Sequence, residues 1–307
     1  MNPIESSLRV SRFVRERVPA HHAVYGLTWS VAAESGAALL GRRPWRPGPD
    51  TAARASALTL TLVAMRMLDD VKDLESDRGR HPDRPLVRGA VSVTELLLAA
   101  GMCGAAAVGL AARRLGPDST RALVLTQAYG AALWPLDRLV RRLASGRPTP
   151  VRDAALAYPT QALGTLFLLR SSAETGAAPG GRRPLALVPV FAAAFLQFEI
   201  ARKTRSAAPH DPADYSSVLP WRVCAASIAA LGEAAVWGLA GAAAPERPRD
   251  RRSVVARAPL ALTPLPVWVV LDLLRGTRDT PRTAPSVGLL LALYLAIPLI
   301  TLEVQRT

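Results

Sequence analysis

Lysine is almost missing from this sequence. Only Lys72 and Lys203 occur among 38 basic residues, and the rest are arginine. A GC-rich genome produces such a bias as readily as function does, so a net charge of +14 is no sign of nucleic-acid binding. The basic patches interleaved with aromatics that such binding uses are missing too. Cysteine is equally sparse. Cys103 and Cys224 sit in apolar segments, far from each other and from any second cysteine at metal-ligand spacing, and read as small core residues. Near Arg9, Arg12, Arg15 and Arg17 no compact apolar stretch runs into a small-residue cleavage site, so no removable signal peptide is expected.

What the chain has in quantity is apolar sequence, 50% of its residues. A membrane-spanning helix needs about 20 mostly apolar residues. Windows of that kind fall near 22–41, 51–70, 92–112, 119–140, 153–170, 185–203, 222–241, 257–274 and 286–303, about nine spans by hydropathy. Windows 185–198 and 286–303 are too uniformly apolar for the surface helices of a soluble Ala-rich bundle. Runs of small residues, such as Ala99 to Ala107, suit close helix packing in lipid. The connectors 42–50, 171–184 and 244–256 are rich in Pro, Gly and Arg and read as loops, with no domain boundary among them. The expected fold is therefore all-α, a polytopic helical membrane bundle forming a single domain over 1–307. The Arg-rich N-terminus favours the cytosolic side of a bacterial-type membrane, although basic residues are only slightly in excess in the segments on that side.

Two polar constellations break the apolar pattern. The first, LDDVKDLESDRGRHPDRPLVRG from Leu68 to Gly89, puts Asp69, Asp70, Asp73 and Asp77 at the end of an apolar segment and follows them with Arg78, Arg80, Arg84 and Arg88. On a helix Asp70, Asp73 and Asp77 share a face, where their charges repel unless a cation sits between them. Mg²⁺ prefers carboxylate oxygens and commonly shares its coordination with substrate phosphates. Arg66 stands one turn before Asp70, placed to pair with it. Ionisable groups beside membrane helices are costly and point to function.

The second constellation, FLQFEIARKTRSAAPHDPADYSSVLPWR from Phe195 to Arg222, sets Glu199 against Arg202 and Lys203 at helical spacing. A plain intrahelical ion pair would account for that. Each constellation, however, follows an apolar helix, holds one of the two lysines and runs into a loop with His and Pro, His81-Pro82 in one and Pro209-His210 in the other. The repetition suggests two motif-bearing repeats facing one cavity, with Asp211 and Asp214 as further metal or water ligands. Glu34, Glu174, Glu233 and Glu303 have no partner readable from the sequence.

The first constellation resembles the aspartate-rich motif of the UbiA superfamily of intramembrane prenyltransferases, Asn-Asp-x-x-Asp-x-x-x-Asp followed by His-Pro-x-Arg-Pro. Asp70, Asp73 and Asp77 match its aspartates, and His81, Pro82, Arg84 and Pro85 its loop. Asp69 replaces the asparagine, and the second motif, usually Asp-x-x-x-Asp, reads Glu199-x-x-Arg202-Lys203. The resemblance implies Mg²⁺-dependent ionisation of an allylic prenyl diphosphate. It implies Asp70, Asp73, Asp77 and Glu199 as metal ligands beside Asp211 and Asp214, and Asp69, Glu199 and Lys203 as catalytic groups. Arg66, Lys72, Arg84, Arg88, Arg202, Lys203 and Tyr215 would bind substrate. Tyr129, Trp134, Tyr158, Phe195 and Phe198 would wall the prenyl tail. The cation would then cyclise internally or pass to a lipophilic acceptor, often aromatic. The partial loss of the second aspartate motif, a candidate proton acceptor, leans towards the UbiA-type terpene cyclases. A transporter or structural membrane protein would explain the spans and charges but not the HPDRP loop.

Overall fold

The computed structural model describes residues 3–18, 21–143, 150–205, 214–244, 255, 257–275 and 283–306. These residues form ten α-helices, α1 (Pro3–Arg17), α2 (His21–Leu40), α3 (Pro49–Arg80), α4 (Val93–Arg114), α5 (Pro117–Leu143), α6 (Pro150–Glu174), α7 (Leu187–Arg202), α8 (Trp221–Ala243), α9 (Pro264–Leu274) and α10 (Ala284–Arg306), and no strand. Short 3₁₀ turns at Arg183–Ala186 and Ala258–Leu262 lead into α7 and α9. From α2 onward the helices coincide with the nine apolar windows. Four of the described helical segments, Val93–Arg114, Arg183–Arg202, Trp221–Ala243 and Ala284–Arg306, are long and apolar enough to cross a membrane by length and composition.

Local chemistry sets the helix ends. Pro49 starts α3 at the first helical position, where its missing N–H costs nothing, and Thr51 Oγ1 accepts from Gly48 N at 3.0 Å. The helix then runs for 32 residues, about 48 Å at 1.5 Å per residue, until His81-Pro82 ends it. At α4 the Ser92 hydroxyl accepts from Glu95 N at 3.2 Å, and the Glu95 carboxylate accepts from Ser92 N at 2.8 Å, a reciprocal capping box. Glu174, at the end of α6, accepts from Asp118 N at 2.9 Å and Ser119 N at 2.6 Å, satisfying two orphan donors of α5.

Each helix from α2 to α10 packs on the next, and α10 closes back on α2, which also touches α6, α7 and α8. The main core gathers Trp29, Phe167, Phe191 and Tyr294 around small residues such as Ala33, Ala57 and Ala107. A second cluster seats α1: Phe13, 1% exposed, is wedged among Met67, Val71, Leu86, Val91 and Leu96. The amphipathic α1 thus lies across the end of α3 that bears the aspartates.

At the opposite end of α3, Arg54 is fully buried. It donates to Glu34 Oε2 at 2.6 Å, to Ser171 O at 3.2 Å and to Thr175, while Thr51 Oγ1 donates to the other Glu34 oxygen at 2.9 Å. This pair joins α2, α3 and α6 and gives Glu34 the partner that its sequence neighbourhood does not reveal. Removing one member of a buried pair strands the other charge. Arg54→Ala is expected to destabilise the protein by about 3–5 kcal/mol, and Arg54→Met with Glu34→Leu to recover most of that, as read from thermal unfolding in detergent.

Candidate active site

The end of α3 sorts its carboxylates by burial. Asp70 and Asp77 are buried, whereas Asp69 and Asp73 are partly exposed. Asp70 accepts from Arg17 Nε at 2.8 Å and Nη2 at 2.9 Å, and from Arg66 Nη2 at 2.7 Å. Asp77 accepts from Arg84 Nη1. On the outer face Lys72 Nζ lies 3.3 Å from Asp69 and 3.7 Å from Asp73. The pairing of Arg66 with Asp70 follows the sequence expectation. Arg17 does not, because its only signal was membership of an Arg-rich N-terminus, and a contact across 53 positions has no local signature.

Arg88 was expected to bind substrate. It donates to both Glu16 oxygens, at 2.9 and 2.8 Å, and ties the loop after α3 to α1. Arg9 reaches Glu95 on α4 at 2.5 Å. Three arginine–carboxylate contacts, through Arg9, Glu16 and Arg17, therefore fasten α1 over the acidic end of α3.

Electrostatics mark this end as a cation-seeking site. Burial pushes the Asp73 carboxyl above its ordinary value, and the charges of Asp69 and Asp77 push the same way against Lys72 and Arg66. Burial opposes the charge on Lys72, but Asp69 and Asp73 hold its ammonium above the usual lysine range, with Asp137 of α5 adding to them. A hard divalent cation would relieve the charge that Asp69 and Asp77 place on Asp73, and carboxylate oxygens are the donors Mg²⁺ prefers, so the chemistry of this donor set fits it. Among the described residues no three His, Cys, Asp or Glu side chains already converge as a metal nest. The aspartates stand instead with arginine and lysine partners.

The second constellation also forms a closed unit. Glu199 accepts from Arg202 Nε at 2.5 Å and Nη2 at 2.8 Å, and lies 2.8 Å from Lys203 Nζ, the intrahelical pairing that spacing alone allowed. Tyr215 N donates to Lys203 O at 2.8 Å, folding the turn at Tyr215–Ser217 against the end of α7. Asp214 accepts from Arg205 Nε at 2.6 Å, a contact that the sequence reading missed. Tyr215 is buried and its hydroxyl has no hydrogen-bond partner among the described residues. Burial raises its pKa, and the charge of Glu199 raises it further. Asp211, with Pro209 and His210, lies outside the described residues.

Of the expected aromatic walls, Phe195 and Phe198 lie together with ring centroids 6.4 Å apart. Phe195 extends into a group the sequence did not reveal, Tyr25 at 6.1 Å, which in turn meets Trp29 at 5.4 Å and Tyr294 at 5.9 Å. Trp134 is engaged elsewhere, under the Arg138 guanidinium at 4.4 Å, and the Tyr129 hydroxyl donates to Leu156 O at 2.8 Å, joining α5 to α6.

Comparison with solved structures places this architecture among known folds. A UbiA homologue from Aeropyrum pernix K1, solved without ligand, has 18% identity and a TM-score of 0.58 over 94% of this chain and 98% of that one. A digeranylgeranylglyceryl phosphate synthase structure has 11% identity and a TM-score of 0.59 over 97% and 99%. A UbiA homologue from Archaeoglobus fulgidus, solved with GPP and Mg²⁺, has 15% identity and a TM-score of 0.56 over 95% and 99%. These likenesses establish the fold. A search of curated protein sequences finds no match. The sequence model of the UbiA prenyltransferase family, an integral-membrane family, matches residues 29–207, more than half the chain. The acidic end of α3, its HPDRP loop and the Glu199 end of α7 all fall within that match, and the chain belongs to the UbiA prenyltransferase family.

Proposed function

We propose that the chain, acting as a single domain, ionises an allylic prenyl diphosphate and releases pyrophosphate. The observation that carries this is the acidic end of α3, where four aspartates stand within three turns beside a loop arginine and under an arginine-bearing helix. The Archaeoglobus fulgidus homologues solved with GPP or DMAPP and Mg²⁺ support the same substrate class and metal. Asp70, Asp73 and Asp77 would hold Mg²⁺, with Asp69, Glu199 and Asp214 as supporting carboxylates and Asp211 in the same role outside the described residues. Bound there, Mg²⁺ supplies Lewis-acid neutralisation of the diphosphate oxygens.

The chain's own groups do the rest. Arg66, Arg84, Arg202 and Lys203 bring positive charge to where the leaving group becomes most negative, and Lys72 and Arg88 add to it from the rim. Fixed cations in a site with little water stabilise that developing charge more than solvent would. Tyr215 offers an O–H donor beside Glu199, and its raised pKa keeps it protonated at neutral pH. Phe195, Phe198 and Tyr25 present ring faces that favour a carbocation by about 0.5–2 kcal/mol each. The Arg-rich α1 lies at the aspartate end of the bundle, which supports an active site facing the cytosol of a bacterial-type membrane.

For the fate of the cation the reading leans to cyclisation within the prenyl chain. In the second motif a carboxylate fit to accept an acceptor's proton is taken up by Arg202 and Lys203. Transfer to a lipophilic acceptor is the second reading, favoured by the family's description.

Asp73→Ala is expected to lower Mg²⁺-dependent pyrophosphate release by about a hundredfold or more with membrane insertion unchanged. Chelation of divalent cations should abolish release from the unaltered enzyme. Unchanged release by the variant would remove Asp73 from the site. Supplied with Mg²⁺ and prenyl diphosphates alone, the enzyme is expected to form a cyclic hydrocarbon or alcohol, detected by gas chromatography with mass spectrometry. Turnover that required an added acceptor would overturn the cyclisation reading.

A further inference from the structure

The outward side of α1 is bare, and its chemistry is not that of a helix facing water alone. Ile4, 71% exposed, Leu8, 54% exposed, Ser11 and Arg15 recur along it at three- and four-residue spacing, so one stripe carries two open apolar side chains and then a cation. Arg12, one turn beyond Leu8, is exposed as well. The opposite side of the helix is spent on the bundle through Phe13, while Arg9, Glu16 and Arg17 are taken up by Glu95, Arg88 and Asp70. Neither Arg12 nor Arg15 has a carboxylate partner among the described residues.

Between α1 and the loop at 85–90 lies a cleft of about 510 Å³. Arg9, Arg12 and Arg88 line it together with Glu5, Glu16 and Leu8, and none of Asp69, Asp70, Asp73 and Asp77 does. Arg88 is held by Glu16, and Arg9 lies 3.9 Å from Glu5. Three arginines against two glutamates leave a single positive charge, and Arg12 is the arginine without a carboxylate. A phosphodiester carries one negative charge and balances it, through the charge-assisted hydrogen bonds that guanidinium makes to phosphate oxygens. A diphosphate would bring more negative charge than this lining neutralises.

The height of the cleft in the membrane follows from α4. Glu95, in the first turn of that helix, fixes Arg9, and Phe13 shares a cluster with Leu96, Ala99 and Ala100. α4 is long and apolar enough to cross a membrane, and Leu97, Leu98 and Met102 leave its outer side exposed and apolar. The surface suited to acyl chains therefore begins within a turn of the residue that anchors α1. Amphipathic helices at that level put apolar side chains among the chains and arginines among the phosphates.

We infer that this cleft binds the headgroup of an anionic phospholipid, with Arg12 at the phosphodiester and Leu8 and Ile4 against the lipid's apolar part. The cationic amine of a zwitterionic lipid would undo the charge balance, so the occupant carries net negative charge. Bound there, the lipid bridges α1 to the loop after α3, since both line the cleft. The inference rests on the membrane fold and not on the prenyl diphosphate reading.

The test uses the full chain in nanodiscs of mixed phosphatidylcholine and phosphatidylglycerol, with the lipids that stay bound counted by native mass spectrometry. Phosphatidylglycerol should be retained in preference to phosphatidylcholine. Arg12→Gln is expected to lower that retention about tenfold or more, as loss of a charged hydrogen bond does. Arg15→Gln, outside the cleft, should keep it within about fivefold, the worth of one arginine at an anionic surface. Both side chains are exposed, so both variants should unfold at the parent temperature in phosphatidylcholine alone. Adding phosphatidylglycerol should then raise that temperature for the parent and Arg15→Gln but not for Arg12→Gln. Equal losses from the two variants would show a diffuse surface charge and overturn the cleft, as would equal retention of both lipids by the parent. Full displacement by glycerophosphoglycerol, the same headgroup without acyl chains, at equal concentration would overturn a lipid as the occupant.

Discussion

A carboxylate buried at the edge of a membrane must be neutralised, and how Asp70 meets that requirement organises one whole end of the molecule. Arg66 serves it from one turn back on α3, and Arg17 serves it from α1. Because Arg17 sits at the end of α1, that helix has to lie across α3. Its apolar side then has Phe13 to bury, and its Arg9 and Glu16 find Glu95 and Arg88. Hydrophobic seating and charge pairing agree on one position for a helix that is mostly polar. The loop after α3 is fastened in the same stroke, since Arg84 holds Asp77 while Arg88 holds Glu16.

α3 therefore carries paired charges at both ends with different consequences. Arg54 and Glu34 are shut away from solvent with hydroxyl and carbonyl partners, an arrangement that locks α2, α3 and α6 together. At the other end the aspartates keep partly exposed partners, and burial, helped by the charges of Asp69 and Asp77, holds the Asp73 carboxyl above its ordinary value. The first pair is closed to solvent, whereas the basic partners of the second set reach it.

The periodic features of the chain were legible from the sequence. All nine apolar windows became helices, because uniform apolar length is a local property, and the aspartate spacing put the four carboxylates on the end of one helix for the same reason. Contacts between distant positions were not legible. Glu34 finds Arg54 on another helix, Arg17 finds Asp70, and Tyr25, Gln161 and Tyr294 meet from three helices, none of which leaves a mark in the local pattern. Two partners were within reach of spacing and were passed over: Glu233 accepts from Trp237 at i+4, 3.1 Å, and Glu303 lies 3.8 Å from Arg306 at i+3. The family's sequence pattern ends at 207, while the structural likeness continues through α8 to α10. The last three helices keep the fold through apolar packing, which many sequences satisfy.

The scarcity of lysine has a practical side once Lys72 and Lys203 are seen in place. Each ammonium stands against carboxylates of one of the two constellations, at 3.3 Å from Asp69 and 2.8 Å from Glu199. Side-chain amine chemistry on this protein is therefore confined to its two acidic centres. Acylating or alkylating reagents become reporters of whether those centres are open or covered, with no background from lysines elsewhere on the surface.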